Sequence, residues 1–309
     1  MIFEALAFSI ALIVLAKSSS ITIEKAVKLS QLSGINQIAV GFIFIAVATS
    51  LPELSIAIIS SLQGEGILSV GNLVGANITN IALIIGLASL VGFNLGKIFS
   101  ARIEQAVIAT AVIAFFMLVL GKISLVFGIF CVVLFYLFLS SVMKDGFVVG
   151  NGNDKIKILE KLKAAIYLLL AVSVVVISAF VVTDSAVKLS RILGIAESLI
   201  GATVVAMGTT LPELSVGIAA IRKRNISILV GDLVGSLVTN LTLILGIVAV
   251  INPLAIDKGI FAALASFIAI SLVFLLLSYR MKFGFREGFI LLSLYTIYLI
   301  VMFNLDLIL

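Results

Sequence analysis

The sequence contains no histidine, one cysteine and only three prolines. Without histidine there is no imidazole proton relay, no Ser-His nucleophile and no imidazole metal ligand. The single thiol, Cys131, has no partner for an internal disulfide and lies in an apolar run, where it reads as filler. Charge is scarce too. Only 11% of residues are Asp, Glu, Lys or Arg, where soluble domains carry about 25%. What fills the chain instead is apolar, 62% of 309 residues, a composition of an all-α membrane protein. The net charge of +5 sits in short loops between apolar runs and reads as a topology signal, not a nucleic-acid surface. The amino terminus is apolar almost from Met1, with Glu4 and no basic leader, and reads as a first transmembrane helix instead of a cleaved signal peptide.

A helix needs about 20 mostly apolar residues to cross a bilayer. Charge-free runs at Ile123–Met143, Ala164–Thr183, Gly259–Ser278 and Gly288–Asn304 meet that need, with a shorter one at Gln105–Leu120. Ile2–Ala16 is a further span that continues as an amphipathic helix toward Leu32. Gln37–Leu62, Ile67–Phe93, Ser198–Ile221 and Ile226–Ile251 are apolar but studded with Gly, Ser, Thr, Asn and an acid. The reading is ten transmembrane helices. With the N-terminus outside, 16 of the 20 Lys and Arg fall in inner loops, and Lys122, Lys188, Arg191 and Lys258 stay outside. That asymmetry predicts a multi-pass protein of the cell membrane with both termini extracellular.

Displacing the chain by 160 residues lays it on itself without a gap. Ala48–Ile58 (ATSLPELSIAI) falls on Gly208–Ile218 (GTTLPELSVGI), and Gly71–Gly86 falls on Gly231–Gly246; 26 of 61 positions between Ala26 and Gly86 are identical. Apolar helices match by chance at Leu, Ile and Val, not at Pro, Glu, Asn and Gly in register. The division is therefore residues 1–146 as a first five-helix repeat, 147–162 as a cytoplasmic linker and 163–309 as a second repeat. Five is odd, so the second copy enters the membrane inverted, the arrangement of secondary transporters with binding sites near mid-membrane.

Glu53 and Glu213 lie in mid-span, with no Lys or Arg nearby in sequence. A charge at the bilayer centre costs about 2.5–3.5 kcal/mol on insertion scales, which leaves a proton or a bound cation to neutralise each acid. Pro52 and Pro212 precede them and withdraw a backbone donor from the carbonyls of Ala48 and Gly208. Thr49 and Ser50 share a helix face with Glu53, and Thr209 and Thr210 repeat this around Glu213. Asn72, Ala76 and Asn80 form a stripe spaced by four, as do Asp232, Ser236 and Asn240. The set is all oxygen. Calcium takes about 6–8 oxygens, and two carboxylates balance one calcium ion or two sodium ions, a physical route to exchange.

These residues resemble the sodium/calcium exchanger branch of the calcium/cation antiporter superfamily. The resemblance rests on G-x-x-x-x-A-x-[AG]-T-[ST]-L-P-E followed by G-[ND]-x-x-G in each half, and it covers essentially the whole chain. It implies two inverted five-helix repeats, with ion sites on the second and third helix of each and the first and sixth helices sliding to alternate access. It makes Glu53 and Glu213 the shared calcium ligands, helped by Thr49 and Thr209. It places Ser50, Thr210, Asn80, Ala46, Ala206 and Ser236 at sodium-coordinating positions. The sequence departs from the family pattern at Asn240, where several relatives have aspartate, at Ala76 for serine and at Asp232 for asparagine. The implied cargo is Ca2+ and Na+ bound at mid-membrane, with H+ as the alternative counter-ion through Asp232. No cofactor, nucleic acid or enzymatic activity is expected, and the expected unit is a monomer in the lipid bilayer. A passive channel fits acidic residues but not an inverted repeat with broken helices. For an intramembrane protease the chain lacks histidine, and a single intramembrane aspartate, Asp232, argues against an aspartyl dyad.

Overall fold

The computed structural model describes residues 2–64, 66–91, 101–146, 158–192, 206–279 and 284–303. The first repeat supplies α1 (Ile2–Ser33), α2 (Gln37–Thr49), α3 (Leu51–Leu62), α4 (Gly66–Leu90), α5 (Ala101–Leu120) and α6 (Leu125–Gly146). After them come α7 (Ile158–Ile192), α8 (Ala206–Thr209), α9 (Leu211–Arg222), α10 (Ile226–Ile251), α11 (Lys258–Tyr279) and α12 (Phe285–Phe303), and residues 158–162 of the expected linker are helical, as the start of α7. Among the described residues, eight helices are long and apolar enough to cross a membrane, or nine if the bent pair α2 and α3 is counted as one span. The expected span at Ser198–Ile221 is represented by α8 and α9. Its first residues, 198–205, lie outside the described residues, as do 147–157 of the expected linker.

The duplication is written into the local structure. Leu51–Leu62 and Leu211–Arg222 begin and end 160 residues apart, as do the helical stretches Gly66–Ile78 and Ile226–Val238. Each of the latter runs into a six-residue π-helix, Thr79–Ile84 and Thr239–Ile244, again at that offset. A third π stretch, Gly41–Ala46, lies inside α2. Such widened turns concentrate at functional positions because they disturb the regular backbone ladder.

The chain packs as two compact units, each drawing on both repeats. Unit one comprises Met1–Pro52 and Leu139–Gly235. In it α1 and α7 lie along each other, with α9 against α1 and α8 against α7. On α1, Phe3, Leu6, Ile10 and Ile13 are exposed, as are Ile166, Leu170 and Ile177 on α7. Lipid, not water, suits such faces, since soluble proteins rarely expose contiguous apolar patches of more than a few hundred Å2. Lys223, after α9, pairs with Glu24 on α1; both belong to segments that the charge reading put on the inner side.

Unit two comprises Glu53–Phe138 and Ser236–Leu309. Here α11 packs on α4 and α5, and α12 packs on the end of α4. A two-residue antiparallel bridge pairs β1 (Lys122–Ile123) with β2 (Leu254–Ala255). It ties the loop of Lys122 to the loop before Lys258, two loops the charge reading put on one side. Of the candidate spans, α4 and α10 are the most enclosed, with 78% of the most apolar 18-residue stretch of each buried, against 17–39% for the other six. They carry both polar stripes.

Candidate cation-binding site

Both Leu-Pro-Glu motifs stop one helix and start another. The junction residue of the first is Ser50 (φ −79°, ψ 8°) and of the second Thr210 (φ −89°, ψ 0°). Both lie in a sparsely populated backbone region where active-site residues often sit. The cause is local: Pro52 and Pro212 have no N–H for the carbonyl four residues back. At the first junction the helix axis turns by 42°. Glu53 and Glu213 are the third residues of α3 and α9, where unpaired amides and the helix dipole favour a carboxylate. The two acids are 1% and 2% exposed.

In unit one, the Ser50 hydroxyl donates to Oε1 of Glu213 at 3.4 Å. This joins the hydroxyl of the first motif to the acid of the second, residues 163 positions apart. Thr49 is buried and donates to the Ala46 carbonyl at 3.2 Å. Thr209 and Thr210 are buried beside Glu213 in sequence. Ala46 ends the π stretch of α2, and Ala206 opens α8. Asp232 is 1% exposed, and neither carboxylate oxygen has a hydrogen-bond partner among the described residues. It stands at a close crossing of α2 and α10: a Cβ on Gly41 would lie 3.0 Å from the Asp232 amide nitrogen and 2.7 Å from the Ile228 carbonyl oxygen.

Unit two holds Glu53 and a group of neutral oxygens. Asn80 Oδ1, Ser236 Oγ, Thr239 Oγ1 and Asn240 Oδ1 are all buried without a hydrogen-bond partner among the described residues. Ala76 is buried too, with a methyl where an oxygen was expected from the family pattern. A buried polar atom left without a partner costs about 1–3 kcal/mol, and these four lie on α4 and α10. Asn240 donates through Nδ2 to Oδ1 of Asn77 at 3.0 Å, and Asn77 donates to the Leu237 carbonyl at 3.1 Å.

Asn77 and Thr239 were not singled out from the sequence. Comparing the repeats favours shared polar positions, and Asn77 falls on Leu237. Thr239 does match Thr79, but in the first repeat that hydroxyl is engaged by the Gly75 carbonyl at 3.0 Å. Among the described residues no three acids or thiols gather into one metal cluster. Carboxylates diluted by hydroxyls and amides suit hard cations such as sodium and calcium.

Comparison with known proteins meets this geometry at its doubling. A sequence model of the family described as sodium/calcium exchanger protein matches twice, over residues 3–144 and 163–304. The second match starts and ends 160 residues after the first. The chain belongs to the sodium/calcium exchanger family. It is 31% identical over 259 residues to inner membrane protein YrbG of Escherichia coli (strain K12), covering 80% of each. It is 28% identical over 340 residues to sodium/calcium exchanger MaX1 of Methanosarcina acetivorans, covering 94% of this chain and 96% of the relative. Its fold matches that of the sodium-calcium exchanger NCX_Mj soaked with 10 mM Na+ and zero Ca2+, with TM-score 0.83 and 25% identity over 96% of this chain and 97% of that one. This exchanger-family chain is accordingly a multi-pass membrane protein.

Proposed function

We propose that this chain is a secondary active antiporter that exchanges sodium for calcium across the cell membrane by alternating access. Its ten spans form two inverted five-helix repeats, residues 1–146 and 163–309, with both termini extracellular, and it works as a monomer. Glu53 and Glu213 supply the carboxylates for calcium, and Thr49 and Thr209 assist them. Ser50, Thr210, Asn80, Ser236, Asn240 and the backbone near Ala46 and Ala206 supply neutral oxygens that serve sodium. The observation that carries this reading is the hydrogen bond from Ser50 to Glu213, which brings the two family motifs into contact. Two carboxylates are neutralised equally by one divalent or two monovalent ions, so either cargo permits a dehydrated, occluded pocket. An empty, charged pocket resists occlusion because of the cost of desolvating its charge.

The test is calcium-45 uptake by sodium-loaded proteoliposomes with and without an outward sodium gradient. Uptake that rises with the gradient supports exchange. Uptake indifferent to sodium overturns it. A second reading, proton/calcium exchange, is favoured by Asp232, whose buried oxygens have no hydrogen-bond partner among the described residues. Uptake that ignores sodium and follows a pH gradient would select that reading, and uptake needing no counter-ion would indicate a channel.

A further inference from the structure

Three buried groups in unit two form a relay whose polarity is fixed at one end. The Leu237 carbonyl can only accept a hydrogen bond. Asn77 must therefore turn Nδ2 toward it, at 3.1 Å, and its own carbonyl oxygen the other way. That oxygen also only accepts, so Asn240 must present Nδ2 to it, at 3.0 Å. The amide of Asn240 is thereby oriented: Oδ1 faces away from the pair, buried and without a hydrogen-bond partner among the described residues. Asn77 and Asn240 are 0% and 1% exposed, so water does not compete for these bonds.

We propose that Asn77 is a positioning residue that holds Asn240 with its side-chain carbonyl oxygen offered to the transported cation. The inference rests on the reading above that Asn240 is a cation ligand. It deepens that reading by explaining why an amide serves at position 240. A carboxylate there would set oxygen against Asn77 Oδ1, and Asn77 could donate to it only by giving up the Leu237 carbonyl. The relay exists in one direction only, because the repeat equivalent of Asn77 is Leu237, whose side chain has no polar atom. The first repeat thus orients a ligand of the second, and Leu237 cannot do the same for the first.

A double-mutant cycle tests this. Calcium-45 uptake by sodium-loaded proteoliposomes is measured for the unaltered chain, Asn77→Ala, Asn240→Ala and the double variant. The readouts are the half-saturating external calcium and the external sodium that halves uptake. The amount of folded protein is determined separately by gel filtration. We expect each single variant to shift one or both concentrations about fivefold, the worth of one buried hydrogen bond. The double variant should be no worse than Asn240→Ala alone, because Asn77 acts through Asn240. Effects that multiply, or an Asn77→Ala variant that changes only the amount of folded protein, overturn the proposal. If Asn240→Ala itself shifts neither concentration, Asn240 is not a ligand and the proposal falls, while sodium-driven uptake by the unaltered chain leaves the exchange reading standing. Should Asn77→Ala fail to fold, the cycle is run with Asn77→Ser, whose hydroxyl is too short to reach both partners, with the same outcomes deciding.

Discussion

Gly71 and Gly231 occupy the same place in the two copies of G-[ND]-L-V-G, yet the structure sets them apart sharply. A Cβ on Gly231 would collide with the Ile38 carbonyl oxygen and lie 2.9 Å from its carbonyl carbon and 3.0 Å from Ile38 Cα. All are backbone atoms and cannot rotate away. Ordinary contact begins at 3.4 Å, so the backbones of α2 and α10 must part by about 0.5 Å or more. Overpacking of this kind costs about 1–3 kcal/mol, against a gain of about 0.5–1 kcal/mol from replacing a helical glycine with alanine. Gly231→Ala should therefore destabilise, lowering the midpoint of thermal unfolding in detergent by several degrees. A Cβ on Gly71 meets nothing within 4 Å. Gly71→Ala should leave the midpoint unchanged or raise it slightly. Equal midpoints for the two variants, or a larger loss for Gly71→Ala, would refute the packing argument.

Glu53→Gln and Glu213→Gln keep side-chain volume and remove charge; each should abolish exchange in proteoliposomes, and normal transport by either removes that residue from the site. Ser50→Ala loses one hydrogen bond of 3.4 Å and should weaken calcium half-saturation about fivefold; a loss as complete as that of Glu213→Gln would give Ser50 a larger part than the geometry allows. Asn240→Asp should alter cation affinity or sodium dependence, read from sodium inhibition of calcium uptake, and unchanged competition would show the amide at 240 to be neutral for transport. Where calcium uptake follows a pH gradient, Asp232→Asn should remove that component; its persistence would clear Asp232 of a proton-carrying role.

The parts of the fold that leave a chemical mark were legible in the sequence. Pro52 and Pro212 announce helix breaks because they lack an amide hydrogen, and the structure breaks both helices one turn ahead of buried acids. The 160-residue offset reappears in helix ends and π stretches to the residue. The π stretches themselves were not legible, since TNIALI and TNLTLI differ in no evident way from ordinary apolar helix. Nor was the assembly of each compact unit from both repeats, which depends on tertiary packing between distant segments. Asn77 escaped notice because its importance lies in breaking the repeat, and the comparison of halves was tuned to what the halves share. The unequal crowding of Gly71 and Gly231 is likewise invisible to an alignment that shows them as equivalent.

Direct calcium binding to the purified protein bears most closely on the claim that two repeat-related acids serve one passing ion. Equilibrium binding of calcium-45 should approach one ion per chain, be displaced by sodium, and vanish in both Glu53→Gln and Glu213→Gln. Retention of full, sodium-insensitive calcium binding in either variant would contradict the account.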